Sequence, residues 1–140
     1  MVEIICGQKG KGKTKELLNL VDDTLNNVEG NVVYIDKSNQ HMLDLNKKIR
    51  LIDVSEYPVE NCEEFLGFIC GIVSQDNDLE EVYLDSFLTI AFISNDDEFL
   101  YAINKLDKIS NKYKTKFVLS VSTDEASLPE TDKIKVLVAL

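Results

Sequence analysis

The sequence predicts a three-layer α/β fold, in which a mostly parallel central sheet carries helices on both faces. Three observations predict it. Short apolar runs of strand length alternate with longer stretches of helical periodicity along the 140 residues, and strands separated by helices imply crossover connections and parallel pairing. Several of the short runs, such as VVYID at 32–36, are apolar at successive positions, the pattern of a strand covered on both faces. The length of 140 residues and the 44% apolar content suit one domain, spanning 1–140, with a buried sheet at its centre. No internal repeat, linker or low-complexity tract interrupts it.

The elements follow in order. Val2, Ile4, Ile5 and Cys6 make a first buried strand. After a glycine-rich stretch, Leu17, Leu18, Leu20, Val21 and Leu25 recur at helical spacing with Glu16, Asn19, Asp22 and Asp23 between them, so a helix begins near Lys13. NNVEGN at 26–31 is a turn, and 32–36 is the second strand. Residues 37–48 hold Met42, Leu43 and Leu45 and are expected to form a short helix capped by Ser38 or Asn39. A strand at 49–54 is closed by Pro58. Val59, Cys62, Phe65, Leu66, Ile69, Ile72 and Val73 then mark a helix over 59–75 despite two glycines. Residues 79–87 contain a strand ending at Asp85. A helix over 95–113 opens on acidic residues and ends on lysines, as the helix dipole prefers. Its apolar face is Phe99, Leu100, Ile103, Leu106 and Ile109, and Lys105, Lys108 and Lys112 read as its solvated surface. Strands at 116–122 and 133–140 complete the chain, the last at an edge of the sheet or at the terminus.

Between the first strand and the first helix, Gly7, Gly12, Lys13 and Thr14 fit G-x-x-x-x-G-K-[ST], the phosphate-binding P-loop. The chemistry requires those types there. Backbone N–H groups must approach phosphate oxygens closely, and side chains at Gly7, Gly10 and Gly12 would obstruct the approach or forbid the dihedrals. The helix start adds unpaired N–H groups and the positive end of a dipole. Lys13 is expected to reach the β- and γ-phosphates, and the Thr14 hydroxyl to hold Mg²⁺. The predicted nucleotide-contacting segment is therefore Gly7, Gln8, Lys9, Gly10, Lys11, Gly12, Lys13, Thr14 and Lys15, with Lys9, Lys11 and Lys15 raising the local potential. The metal also calls for a carboxylate at the end of another strand. Asp85, ending VYLD, is the favoured residue; Asp36, ending VVYID, and Asp53, ending RLID, are its rivals. Ligands gather at the carboxyl ends of strands in such sheets, so two or three of these aspartates are expected to face one crevice.

Fifteen basic residues against 25 acidic ones give a net charge of −10, which opposes general attraction to nucleic acid or an anionic membrane. Cys6, Cys62 and Cys70 lack C-x-x-C spacing, as expected of reduced thiols without a disulfide framework or zinc site. No secretory signal and no run of 18 apolar residues is present, so a cytoplasmic location away from membranes is expected. His41 is the single histidine; a histidine-rich metal site or a paired-histidine mechanism is excluded, and it reads as a polar loop or helix residue.

The order of strand, P-loop, helix, GNVVYID, helical stretch and EEVYLDSF resembles the RecA-like branch of P-loop ATPases, in which a Walker B strand ending in aspartate and serine is familiar. The chain is also similar to small uncharacterised bacterial P-loop ATP-binding proteins sometimes labelled twitching-motility ATPases, although it is far too short for a complete motility motor. The resemblance runs from Val2 to about Ser122 and implies binding of ATP or GTP with Mg²⁺. Two departures bear on catalysis. The places that in this superfamily often hold a water-polarising glutamate carry Ser86 and KSN at 37–39, so Asp36 is the nearest substitute and joins Lys13 as a catalytic candidate. The only arginine is Arg50, which leaves no obvious arginine finger within the chain. The implied activity is nucleotide hydrolysis that is slow, or stimulated by a protein partner or a second copy. A small-molecule or nucleoside kinase using Asp36 or Asp53 as base is the alternative, and a non-catalytic nucleotide-sensing module the third reading. NKLD at 104–107 lies inside a predicted helix and is not read as guanine recognition, which favours ATP. Ser120 and Ser122 are candidates for sensing the γ-phosphate, with core packing as the simpler account.

Overall fold

The computed structural model describes residues 1–140. Six strands, β1 (Val2–Cys6), β2 (Asn31–Asp36), β3 (Ile49–Asp53), β4 (Leu79–Leu84), β5 (Lys116–Val121) and β6 (Ile134–Ala139), form one sheet in the order β3-β2-β4-β5-β1-β6. Every neighbouring pair is parallel. The helices are α1 (Lys13–Thr24), α2 (Cys62–Ser74), α3 (Phe87–Ile90) and α4 (Asp96–Tyr113). The expected three-layer architecture is borne out, and the last strand sits at an edge beside β1.

Two cores explain why the strands read as continuous apolar runs. One face of the sheet packs with α2, α3 and α4 around a cluster of 24 buried residues that includes Val82, Leu84, Phe65, Phe87 and Phe99. The opposite face packs with Leu17 and Val21 of α1 in a cluster of eight that includes Tyr34 and Tyr83. Successive side chains of a strand point to opposite faces, so Val82 and Leu84 enter the large core while Tyr83 enters the small one. The same alternation puts Asp85, just past β4, on the α1 side.

The ends of the long helices follow from their caps. Asn61 and Asn95 accept hydrogen bonds from the backbone N–H groups of Glu64 (2.8 Å) and Glu98 (2.9 Å), each satisfying a donor that the first turn leaves open. This cap starts α2 at Cys62 rather than at residue 59. The expected helix over 37–48 does not form. That segment holds a single 3-10 turn at Met42–Asp44, and Met42 and Leu43 are exposed. Ser38 Oγ accepts from the Gln40 N–H and Asn46 Oδ1 from the Lys48 N–H, local turns that compete with helix, and of the segment's apolar residues only Leu45 packs against a core, too little to tip the balance. Helix α3 is an unanticipated single turn. It is held by Phe87, which is fully buried with edge-on contacts to Phe65 and Phe99. No helix is long and apolar enough to cross a membrane.

Candidate functional site

At the carboxyl ends of β1, β2, β4 and β5 lies a cleft of about 370 Å³ lined by 14 residues, none of them hydrophobic. Its first wall is the glycine loop between β1 and α1. Gly10 (φ 86°) and Gly12 (φ 93°) adopt left-handed conformations in open space, so the dihedral rather than crowding requires glycine there. Gly12 also occupies the cap position of α1, which turns the helix N-terminus toward the cleft. Lys13 is buried and folds back so that its Nζ donates to the Gln8 carbonyl at 3.1 Å. Desolvation lowers its pKa, opposed by the negative charge of Asp85. An ammonium has three donors, and this contact engages one.

The second wall is built around Asp85, which is 2% exposed. Its Oδ1 accepts from Thr14 Oγ1 at 3.3 Å and from Ser120 Oγ at 2.6 Å, and its Oδ2 accepts from the Tyr34 hydroxyl at 2.7 Å. Its backbone N–H donates to the Ile35 carbonyl at 2.9 Å, extending the β2–β4 ladder by one residue. Because β5 lies between β1 and β4, Ser120 near the end of β5 is placed beside Asp85 and bonds to it. Ser86 comes next, in the left-handed region (φ 56°, ψ 49°), and donates its N–H to Ser120 Oγ at 2.8 Å. A serine held there is strained, and the neighbouring hydrogen bond helps to fix it. Burial, and then the adjacent Asp85 charge, push the Tyr34 pKa far upward, so its hydroxyl remains a donor.

Asp36 ends β2 on the same side. It is 2% exposed, its Oδ1 accepts from the Lys37 N–H at 2.7 Å, and its buried Oδ2 has no hydrogen-bond partner. Burial raises its pKa, the Asp85 charge raises it further, and the Lys37 N–H opposes both. Asp53, its register partner on β3, is spent elsewhere: its Oδ1 accepts from Ser55 N–H (3.0 Å) and Ser55 Oγ (2.6 Å) as a cap of the next turn. Of the three rival aspartates, two therefore share the crevice.

The predicted residues Lys9, Gly10, Gly12, Lys13, Thr14, Asp36 and Asp85 line this one cleft. Gly7, Gln8, Lys11 and Lys15 do not. At Gly7 a Cβ would come within 3.0 Å of the Leu140 side chain; Gln8 Nε2 donates to Asp124 Oδ2 at 2.9 Å; Lys11 and Lys15 are exposed. Arg50 is exposed near the start of β3, outside the cleft. Ser122 and Ser120 both line the cleft; Ser120 is almost fully buried in its floor, where its hydroxyl joins Asp85 to the Ser86 N–H. Sequence reasoning missed Tyr34, Lys37, Gln40, His41 and Thr89. The alternation of strand residues carried a signal for Tyr34, two positions before Asp36 and so on its face; nothing comparable marked the others. His41 faces the cleft and approaches Asp44 Oδ2 through Nδ1 at 3.0 Å.

No three His, Cys, Asp or Glu side chains converge into a preformed cation cage. Mg²⁺ does not demand one, since it is commonly held by one or two carboxylates, water and substrate phosphates. The Thr14 hydroxyl beside Asp85, with the unpartnered Asp36 oxygen nearby, is an oxygen-only donor set that fits this ion. No protein-family model matches the chain, and no curated protein is significantly similar to it.

Proposed function

We propose that the chain binds ATP or GTP with Mg²⁺ in this cleft and hydrolyses it slowly until a partner completes the site. The observation that carries the reading is the Thr14–Asp85 hydrogen bond, which joins residues 71 positions apart. A hydroxyl at a helix start and a strand-end carboxylate are the two groups that nucleotide-bound Mg²⁺ needs on opposite sides, and here they meet above a glycine loop and a buried lysine.

In this reading the glycine loop and the α1 N-terminus bind phosphate through backbone N–H groups. Lys13 exchanges its Gln8 carbonyl for the β- and γ-phosphates. Thr14 and Asp85 hold Mg²⁺, which when bound neutralises charge on the phosphates. Asp36 accepts a proton as the attacking water bonds to the γ-phosphorus and the bond to the leaving β-phosphate oxygen breaks; a carboxylate of raised proton affinity suits that task. No arginine reaches the cleft, and an arginine finger is worth about 10³ to 10⁵ in rate. The missing cation is assigned to an activating protein or a second copy. The cysteines are unpaired, in keeping with a cytoplasmic location. The kinase alternative draws on Lys37, Gln40, His41 and Thr89, a polar wall facing the glycine loop with Asp36 as base for a hydroxyl acceptor. A nucleotide-sensing role without chemistry is the third reading.

The test is titration with ATP, GTP and their diphosphates, with and without Mg²⁺, on the parent and on Lys13→Ala. Removing the buried ammonium should weaken triphosphate binding by about 30-fold or more, the loss expected when one partner of a buried charged contact is truncated. Equal affinity in the two proteins would overturn nucleotide binding in this cleft. Phosphate release measured against protein concentration then separates the catalytic readings, with turnover below about 1 s⁻¹ expected for the isolated chain.

A further inference from the structure

We infer that Tyr34 is a positioning residue: its hydroxyl fixes the orientation in which the Asp85 carboxylate meets a divalent cation, although the tyrosine itself touches neither cation nor nucleotide. The inference rests on the nucleotide and metal reading of the cleft.

The geometry separates the donors on Asp85 into two kinds. Ser120 and Tyr34 make short contacts, 2.6 and 2.7 Å, from residues that are 1% and 0% exposed. Thr14 makes the long one, 3.3 Å, from a half-buried position at the start of α1. The Thr14 contact is therefore the one free to exchange for a ligand, while the other two hold the carboxylate still. Within that pair the roles differ. Ser120 and Thr14 both address Oδ1, whereas Tyr34 is the sole donor to Oδ2. Rotation about the terminal torsion of an aspartate is soft, so the donor on the second oxygen decides which way the carboxylate plane faces.

Tyr34 is fitted to that task. Its ring is fully buried and stacks on Tyr83 with centroids 6.5 Å apart and planes 9° from parallel. It sits on β2, which is paired on both sides by β3 and β4, so neither ring nor backbone has room to drift. Tyr83 is the internal comparison. It occupies the neighbouring register position on β4, and its hydroxyl donates to Glu81 Oε1 at 2.8 Å, away from the cleft. Phenylalanine at position 34 would keep the ring and the stack; only the Asp85 contact needs the hydroxyl.

Removing a group that orients a metal ligand typically weakens metal affinity by about 10- to 100-fold. The experiment titrates Mg²⁺ at fixed ATP, with binding of ATP as the readout, in the parent, Tyr34→Phe, Tyr83→Phe and Asp85→Asn, and repeats ATP binding without Mg²⁺. Tyr34→Phe should raise the half-saturating Mg²⁺ concentration by about tenfold or more, leave metal-free ATP affinity unchanged, and differ from Tyr83→Phe, which should track the parent. Two results overturn the inference while sparing the reading beneath it. One is a Tyr34→Phe titration that overlays the parent while Asp85→Asn shifts; the other is equal shifts in both tyrosine variants, which would mark a general loss of rigidity. If neither Tyr34→Phe nor Asp85→Asn moves the Mg²⁺ titration, the metal reading of the cleft fails and the inference falls with it. Thermal melting of each variant confirms that the proteins compared are folded.

Discussion

Asp85 and Asp36 stand at the ends of neighbouring strands, face the same cleft and are each 2% exposed, yet they are treated in opposite ways. Asp85 has three hydroxyl donors drawn from α1, β2 and β5. Asp36 has one backbone N–H on one oxygen and nothing on the other. The difference lies in the stretch of chain just beyond each strand. After Asp85 the chain turns at once into α3, anchored by Phe87, and a regular element, β5, lies alongside to contribute Ser120. After Asp36 the chain enters the irregular segment 37–45, whose side chains bond mainly to one another. One carboxylate is locked by the fold and the other is left with unmet demand, which is what the proposed metal ligand and the proposed proton acceptor would respectively need.

The largest expected effect is on Asp85. Asp85→Ala leaves the buried donors of Tyr34 and Ser120 without an acceptor, at about 1 to 3 kcal/mol each, so a loss of about 2 to 5 kcal/mol in unfolding free energy is expected by denaturant titration. Relief of the Asp36 repulsion offsets part of it. Asp53→Ala removes only a turn cap and should cost about 1 kcal/mol. Similar losses in the two variants would mean that the hydroxyl cage contributes no more than a surface cap, and the contrast between the aspartates would collapse.

A smaller effect sharpens the locked side. Ser120→Ala removes one donor from Asp85 and the acceptor of the Ser86 N–H, and should cost about 1 to 2 kcal/mol. Ser86→Gly, which relaxes the left-handed backbone at φ 56°, should lose little or gain up to about 1 kcal/mol, because the strain relieved opposes the added flexibility of the unfolded chain. The pair should not be additive, since both act on one hydrogen bond. Strict additivity in the double variant would show that Ser120 does not stabilise the turn after Asp85.

Most of the fold was legible because its signals are local and repeated. Apolar runs such as VVYID and VYLD are long enough to name strands, and Asn95 followed by three acidic residues names the start of α4. The glycine loop was legible for the same reason, as a short motif whose dihedrals demand glycine. The features that escaped depend on contacts distant in sequence. The side chains of Ser38 and Asn46 dissolve the expected helix over 37–48, yet that outcome turns on whether Met42 and Leu43 find anything to pack against, and they do not. Tyr34 looked like one more apolar strand residue until the register set it beside Asp85. Likewise Asp53 and Asp36 are alike in sequence, each ending an apolar strand, and what separates their fates is the strand order, which puts β3 at the edge away from the cleft, together with the Ser55 cap.

The finest test bears on the unsatisfied side, through Asp36→Asn. Asparagine keeps an acceptor for the Lys37 N–H but puts an amide nitrogen where Oδ2 now lies without a partner, a cost that does not vary with pH. The charge does vary. Burial and the Asp85 charge raise the Asp36 pKa in the folded state, so the folded protein holds that proton more tightly than the unfolded chain, whose aspartates titrate near about 3.9. Below that value both states are protonated and Asp36 brings no penalty. As the pH climbs through the raised folded value, the parent loses stability that the variant retains. The difference in melting temperature, Asp36→Asn minus parent, should therefore rise with pH across the acidic range and level off once Asp36 is ionised in the fold. Saturating Mg²⁺ and ATP should shrink the gap, because a cation beside Asp85 offsets the charge that asparagine removes. A difference that stays flat with pH would mean that Asp36 is not held against its charge, and the contrast with Asp85 would reduce to a count of hydrogen bonds.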